Sequence, residues 1–134
     1  MPIIKRLLQV KKSYFLVMAF LWLLVVTLAC LVPVGIVRDV EPDFKISDKI
    51  AHGFFYFVNT ILCFLYFYKP GLKGILLKVS LFSFLYGIII EVLQLLMQFG
   101  RSAEMSDVVA NAIGILAAVL LIQFGILKRV KKSG

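Results

Sequence analysis

Four long apolar segments constrain the fold of this chain more than any other feature of its sequence. Of the 134 residues, 62% are hydrophobic and 16% are charged, a balance that is unusual for a soluble domain of this size. Each segment has about the 20 residues that a helix needs to cross the hydrocarbon core of a bilayer. The predicted spans cover residues 14–37, 50–68, 79–99 and 108–127. We therefore predict an all-α membrane protein with four transmembrane helices in one domain, residues 1–134.

The basic residues predict how these spans are oriented. Four Lys and Arg residues precede the first span, three lie between residues 69 and 78, and four follow the last span. The loops at 38–49 and 100–107 hold more acidic than basic residues, and Glu104 is expected to be a solvated loop charge. The positive-inside rule then makes the N-terminus, the C-terminus and the 69–78 loop cytoplasmic. This pattern predicts a multi-pass protein of a cytoplasmic membrane, and it argues against nucleic acid as a partner.

The two cysteines give no indication of a metal or redox centre. Cys30 and Cys63 both lie inside apolar segments, without the spacing of metal ligands or of a disulfide framework. We expect both to be buried, small apolar side chains. The sequence predicts no cofactor and no bound metal.

Among the polar residues that interrupt the apolar segments, four are candidates for function, and the topology places all four in the outer half of the membrane. They are His52, Glu91, Gln94 and Asn111. Polar groups are costly in hydrocarbon, so such a group is a candidate for function. Asp48 and His52 are four residues apart, as are Asp107 and Asn111, so each pair shares one helix face. We expect these side chains to meet at the outer end of the bundle.

Local signals predict the ends and the contact faces of two of these helices. Ser47 is a candidate N-cap for span two, and Ser106 is one for span four. Asp107 would then lie at the positive end of the span-four helix dipole. Gly114 and Ala118 continue the face of Asp107, where small residues allow another helix to pack closely.

Each of these polar residues, taken alone, can also be explained by a purely structural role. Glu91 would hold helices together by pairing with Arg101, Lys49 or a protonated histidine. The amides of Gln94 and Asn111 are of the kind that forms hydrogen bonds between membrane helices. Three helices nevertheless bring ionisable or amide groups to one region, which is more than the joining of four helices requires.

Three stretches with polar and small residues follow one another along the chain. They are Ser47-Asp48-Lys49-Ile50-Ala51-His52, then Glu91-Val92-Leu93-Gln94, then Gly100-Arg101-Ser102 through Ser106-Asp107-Val108-Val109-Ala110-Asn111. In order and spacing this part of the chain resembles the VanZ-like family of small bacterial membrane proteins. The resemblance implies a contribution to tolerance of glycopeptide antibiotics of the teicoplanin type, and it leaves the biochemical activity open. The matching motif positions are Asp48, Lys49, His52, Glu91, Gln94, Arg101, Ser106, Asp107 and Asn111.

The first functional hypothesis is an envelope protein that binds a ligand in the outer leaflet. Lys49 and Arg101 would hold a phosphate group, Arg101 through two parallel hydrogen bonds. The expected partners are membrane lipids, a lipid-linked cell-wall precursor or a lipophilic glycopeptide, and a second copy of the chain as a homo-oligomer. The predicted ligand-binding set is Asp48, Lys49, Gln94, Arg101, Ser106, Asp107 and Asn111.

An integral-membrane enzyme and a carrier are the alternatives. In an enzyme, His52 would be a general base or a metal ligand oriented by Asp48, and a desolvated Glu91 would be the general acid. A divalent metal ion could bind Asp48, His52, Glu91 and Asp107 in such an enzyme, but the sequence holds no recognised metal-binding or nucleophile motif. In a proton-coupled carrier, His52 and Glu91 would form a relay, and four spans without broken-helix repeats would favour an oligomer for that task.

Overall fold

The described part of the chain forms four long helices preceded by one short helix. The structure, a computed structural model, describes residues 2–32, 44–97 and 103–132, and this part contains no strand. The helices are α1 (Pro2–Gln9), α2 (Lys12–Leu31), α3 (Phe44–Phe67), α4 (Ile75–Met97) and α5 (Met105–Leu120). After α5 the chain continues directly through a π-helical segment, Leu121–Leu127, into α6 (Lys128–Lys132).

Four helices are long and apolar enough to cross a membrane, which confirms the predicted fold class. They are Lys12–Leu31, Asp48–Phe67, Ile75–Met97 and Met105–Lys132. The helices extend beyond the predicted apolar limits because backbone hydrogen bonding continues into polar sequence. α3 begins at Phe44 rather than near residue 50, so Ser47 is not its N-cap. Residues 33–37 of the first predicted span lie outside the described residues.

The contacts between helix ends define two ends of the bundle. Lys12 Nζ donates a hydrogen bond to the carbonyl oxygen of Tyr68. Residues 68–73 line one groove together with Gln123, Phe124, Leu127, Lys128, Val130 and Lys131. The start of α2, the end of α3, the start of α4 and α6 therefore lie together, at what we call the basic end. Asp48, Glu104 and Asp107 lie at the opposite end, which we call the acidic end.

The turn between α3 and α4 lies at Pro70-Gly71, a dipeptide that is typical of turns. Gly71 has a φ of 82° and Gly74 a φ of 75°, in the left-handed region that glycine adopts without steric cost. α4 begins directly after Gly74, four residues earlier than the predicted span.

α3 is the central helix, because it packs against α2, α4 and α5. Hydrogen bonds from side chains to backbone join α2 to its neighbours: Trp22 Nε1 donates to the Phe55 carbonyl oxygen at 2.9 Å, and the Tyr86 hydroxyl donates to the Leu23 carbonyl oxygen at 3.1 Å. The apolar core has two parts. The first contains Phe15, Leu62, Phe64 and Ile122 near the basic end, and the second contains Val26, Cys30, Tyr56, Ile90 and Ile115. Cys30 and Cys63 are buried, as predicted, and neither forms a disulfide bond among the described residues.

α1 is a short helix that the sequence analysis did not predict. Ile4, Leu7 and Leu8 pack against the core near the basic end, while Lys5 and Arg6 are exposed. This separation of apolar and basic faces is typical of a helix that lies along a membrane interface.

The closest helix contact joins α3 to α5. A Cβ atom built on Gly114 would lie 2.0 Å from the carbonyl oxygen of Gly53, so the two backbones touch at this point. Ala118, one turn further along α5, is fully buried. The expectation that these small residues allow close packing is confirmed.

Candidate functional site

His52 is the centre of a buried polar cluster formed by three helices. Its Nδ1 lies 3.1 Å from Oδ1 of Asn111 and 3.7 Å from Oε1 of Glu91, and its Nε2 lies 4.0 Å from Oδ2 of Asp48. His52 and Asn111 are each 1% exposed, and Glu91 is 5% exposed. The i, i+4 pairs that the sequence placed on shared faces therefore converge. When Nδ1–H donates to Asn111, Nε2 keeps its lone pair on the side of Asp48.

Lys49 forms two ion pairs beside this cluster, at the acidic end of the bundle. Its Nζ lies 3.0 Å from Oε2 of Glu104 and 3.1 Å from Oδ1 of Asp107. The Asp107 side chain is only 6% exposed, whereas the side chains of Lys49 and Glu104 are 35% and 42% exposed. Glu104 lies outside the helix with an exposed side chain, as expected, and it also makes a tertiary contact with Lys49 that the sequence did not predict.

The start of α5 differs from its predicted form. The helix begins at Met105, with Glu104 at the N-cap position, so Ser106 lies inside the helix and is not its cap. Ser106 Oγ instead donates to Oε2 of Glu104 at 3.0 Å and orients the carboxylate that pairs with Lys49. Asp107 lies in the first turn of the helix, where its charge is favourable, as predicted.

Gln94 has a different neighbourhood from the other predicted site residues. It is buried, and its Nε2 donates to the carbonyl oxygen of Cys30 at 2.6 Å. This contact joins α4 to the last turn of α2. Gln94 therefore occupies the interhelical hydrogen-bonding role that the sequence also allowed. Arg101 lies outside the described residues, so its predicted phosphate contact stays a prediction.

Two polar groups at the cluster have no hydrogen-bond partner among the described residues, and one of them, the Tyr56 hydroxyl, was not predicted from the sequence. Tyr56, one turn after His52 on α3, is buried, and its hydroxyl has no hydrogen-bond partner among the described residues. The same is true of Nδ2 of Asn111. A Cβ on Gly87 would lie 3.0 Å from that Nδ2 and 3.2 Å from Cε1 of Tyr56, so Gly87 makes room for both side chains. The i+4 spacing of Tyr56 from His52 was the available signal.

A second polar layer lies deeper in the bundle on the same face of α3. Asn59 Nδ2 donates to Oγ of Ser83 at 3.0 Å, and Thr60 Oγ1 donates to the same oxygen at 3.1 Å. All three residues are at most 1% exposed. Sequence analysis missed this layer, because small hydroxyl and amide residues are common in membrane helices and none of these three carries a charge.

Three side chains of the acidic end have the donor atoms of a cation site. One ligand atom each from Asp48, His52 and Asp107 lies within 4.8 Å of the others. One imidazole and two carboxylates form a donor set that suits a divalent metal ion. Lys49 already supplies a positive charge to Asp107, so a metal ion would compete with that ammonium group. No sequence motif predicts this set, because its members come from two helices that are distant in the chain.

The helices and the cluster define a class: a polytopic bundle of four membrane-spanning helices with ionisable residues buried between three of them. The chain matches the VanZ/LLP1 family over residues 7–128, and it belongs to that family. Neither a curated protein nor a solved structure matches it. The resemblance noted in the sequence is thus confirmed at the level of the family.

Proposed function

We propose that this VanZ-family protein binds a lipid-linked or lipophilic envelope ligand at its acidic end and thereby contributes to tolerance of teicoplanin-type glycopeptides. In this proposal the protein lies in the bacterial cytoplasmic membrane with its acidic end outward. The family membership and the alternation of basic and acidic loops support this assignment.

The observation that carries the proposal is the buried cluster around His52. The bundle already has two apolar core regions and separate hydrogen bonds through Trp22, Tyr86 and Gln94 that hold α2. The stability of the bundle does not require a buried ionisable cluster as well, since apolar residues of similar size would pack in the core equally well. Ionisable groups retained inside membrane helices are functional candidates for this reason.

The charges at the acidic end indicate which ligand groups suit it. Asp48, Glu104 and Asp107 contribute three carboxylates, and Lys49 is the one described cation among them, with two of these carboxylates already bound. An ammonium, amide or hydroxyl group of a sugar or peptide ligand fits these acceptors better than a bare phosphate does. Binding of a phosphate group at this end would require the additional positive charge of Arg101.

Susceptibility to teicoplanin in a host that lacks the protein tests the proposal. Wild-type chain should raise the minimum inhibitory concentration, and His52→Gln and Asp107→Asn should return it to the level of the empty host. Val109→Ala is the matched control, since Val109 lies on the same helix as Asp107 with its side chain exposed. Membrane abundance is measured for each variant. Equal tolerance in all four strains, or none in any of them, would refute the proposal.

An enzyme is the second candidate, favoured by the position of His52 between Asp48 on one side and Glu91 on the other. Such an arrangement suits acid–base chemistry on a lipid-linked substrate. Native mass spectrometry of protein purified in gentle detergent separates the two functions. A binder should retain an unmodified ligand that Asp107→Asn loses. An enzyme should yield a substrate of changed mass, and His52→Gln should abolish that change without abolishing substrate retention.

A further inference from the structure

A groove opens at the basic end, on the side of the molecule opposite the cluster described above. It has a volume of about 630 Å³ and lies between the α3–α4 turn and the end of the last helix. Lys69 and Lys73 line it from the turn, and Lys128 and Lys131 line it from α6. Four lysines from two distant parts of the sequence thus face one volume.

No acidic side chain among the described residues balances the charge in this groove. No acidic residue lines it, and none of the ion pairs in the described part of the chain involves these four lysines. All seven acidic residues of the chain fall between residues 39 and 107, and none lies in a segment that forms the groove. Convergent like charges repel one another, so an anion bound among them would be stabilised.

The wall of the groove is apolar, which narrows the choice of anion. Leu72, Phe124 and Leu127 line it beside the lysines, and the side chain of Phe124 is 63% exposed. Phe124 and Leu127 belong to the π-helical segment, a distortion that is frequent at functional sites. A free phosphate ion would use the lysines alone. A phospholipid would use the lysines through its headgroup and the apolar wall through an acyl chain.

We propose that this groove binds an anionic phospholipid, with the headgroup phosphate among Lys69, Lys73, Lys128 and Lys131 and one acyl chain along Phe124 and Leu127. The lipid would come from the leaflet at the basic end, which the positive-inside rule assigns to the cytoplasmic side, where basic residues meet anionic lipids. This site does not depend on the ligand proposed for the acidic end.

Native mass spectrometry of the full chain, in detergent with added phosphatidylglycerol or phosphatidylcholine, tests this site. Wild-type protein should retain phosphatidylglycerol in preference to phosphatidylcholine. The double variant Lys69→Gln/Lys128→Gln should lose roughly 30-fold in affinity for phosphatidylglycerol, from two lost lysine contacts. The control Lys5→Gln/Lys132→Gln removes the same charge from exposed residues of the basic end that do not line the groove, and it should bind like the wild type.

Two results would overturn the proposal. One is equal phosphatidylglycerol retention by both double variants, which would mean that only the net charge matters. The other is displacement of the lipid by millimolar inorganic phosphate to the same extent in wild type and in Phe124→Ser, which would mean that the site recognises phosphate without the acyl chain. A Phe124→Ser variant that releases the lipid more readily than wild type supports the lipid site.

Discussion

The contact between Gly53 and Gly114 leads to a prediction with a defined size. In Gly114→Ala, the new methyl group would lie 2.0 Å from the carbonyl oxygen of Gly53, 2.7 Å from its carbonyl carbon and 2.9 Å from its Cα. Ordinary contact begins at 3.4 Å. The atoms met are backbone, which cannot turn aside as a side chain would. The substitution must therefore move α3 and α5 apart by about 1.4 Å, the difference between these two distances.

This displacement reaches the candidate site directly. His52 precedes Gly53 on α3, and Asn111 lies three residues before Gly114 on α5. Their 3.1 Å contact would open beyond the length of a hydrogen bond. Overpacking costs about 1–3 kcal/mol, and a buried polar group left without its partner costs about 1–3 kcal/mol more. We expect Gly114→Ala to lower the free energy of unfolding by about 2–6 kcal/mol in total.

Reversible unfolding in mixed detergent micelles measures this loss, and two other glycines supply controls. A Cβ on Gly53 would lie 3.4 Å from the Ala110 carbonyl oxygen, and one on Gly125 would lie 3.4 Å from Cδ1 of Leu121. Both are ordinary contacts, so Gly53→Ala and Gly125→Ala should be neutral or should gain up to about 1 kcal/mol from helix propensity. If Gly114→Ala unfolds within about 0.5 kcal/mol of Gly53→Ala, the close crossing described here is wrong.

Three further predictions use the same unfolding assay. Gln94→Leu removes the hydrogen bond to the carbonyl oxygen of Cys30 and should lower the free energy of unfolding by about 1 kcal/mol. An unchanged free energy of unfolding would contradict this hydrogen bond. Tyr56→Phe removes a hydroxyl with no hydrogen-bond partner among the described residues, so stability should be unchanged or slightly higher, and a clear loss would reveal a partner. Lys49→Gln takes the ammonium group from two carboxylates, one of them buried, and should cost about 1–3 kcal/mol. Glu104→Gln removes only the more exposed ion pair and should cost less than about 1 kcal/mol, so equal losses would argue against this difference.

The helices could be predicted from the sequence because bilayer thickness fixes the length of a spanning segment. The residues at which the helices begin and end could not be predicted as accurately. α3 includes Lys45, Asp48 and Lys49 before the predicted span, because helical backbone hydrogen bonding continues through polar sequence. α4 starts at Ile75, directly after the positive φ of Gly74, and Lys78 is simply part of it. The π-helical segment Leu121–Leu127 has no periodicity that distinguishes it from the helix before it.

The candidate site could be predicted where helical spacing alone decided the geometry. His52 and Asn111 each follow an aspartate by four residues, and the two pairs do converge. Glu91 and Gln94 are three residues apart on one helix, a spacing that leaves a difference of about 60° around the helix axis. That angle is enough for Gln94 to contact α2 while Glu91 faces His52. The choice between neighbouring helices depends on tertiary packing, which the sequence does not display.

The two proposed sites are far enough apart to be tested independently. Asp48 lies one turn after the start of α3 and Tyr68 directly follows its end, so about 20 residues of helix at 1.5 Å each separate them by about 30 Å, the thickness of a hydrocarbon core. A headgroup bound among the lysines of the basic end cannot also contact Asp107. Loss of a lipid in Lys69→Gln/Lys128→Gln therefore leaves the ligand of the acidic end unaffected, and loss of antibiotic tolerance in Asp107→Asn leaves the lipid in place. If either variant abolished both properties, the cause would be a change in the whole bundle, and its free energy of unfolding would fall with them.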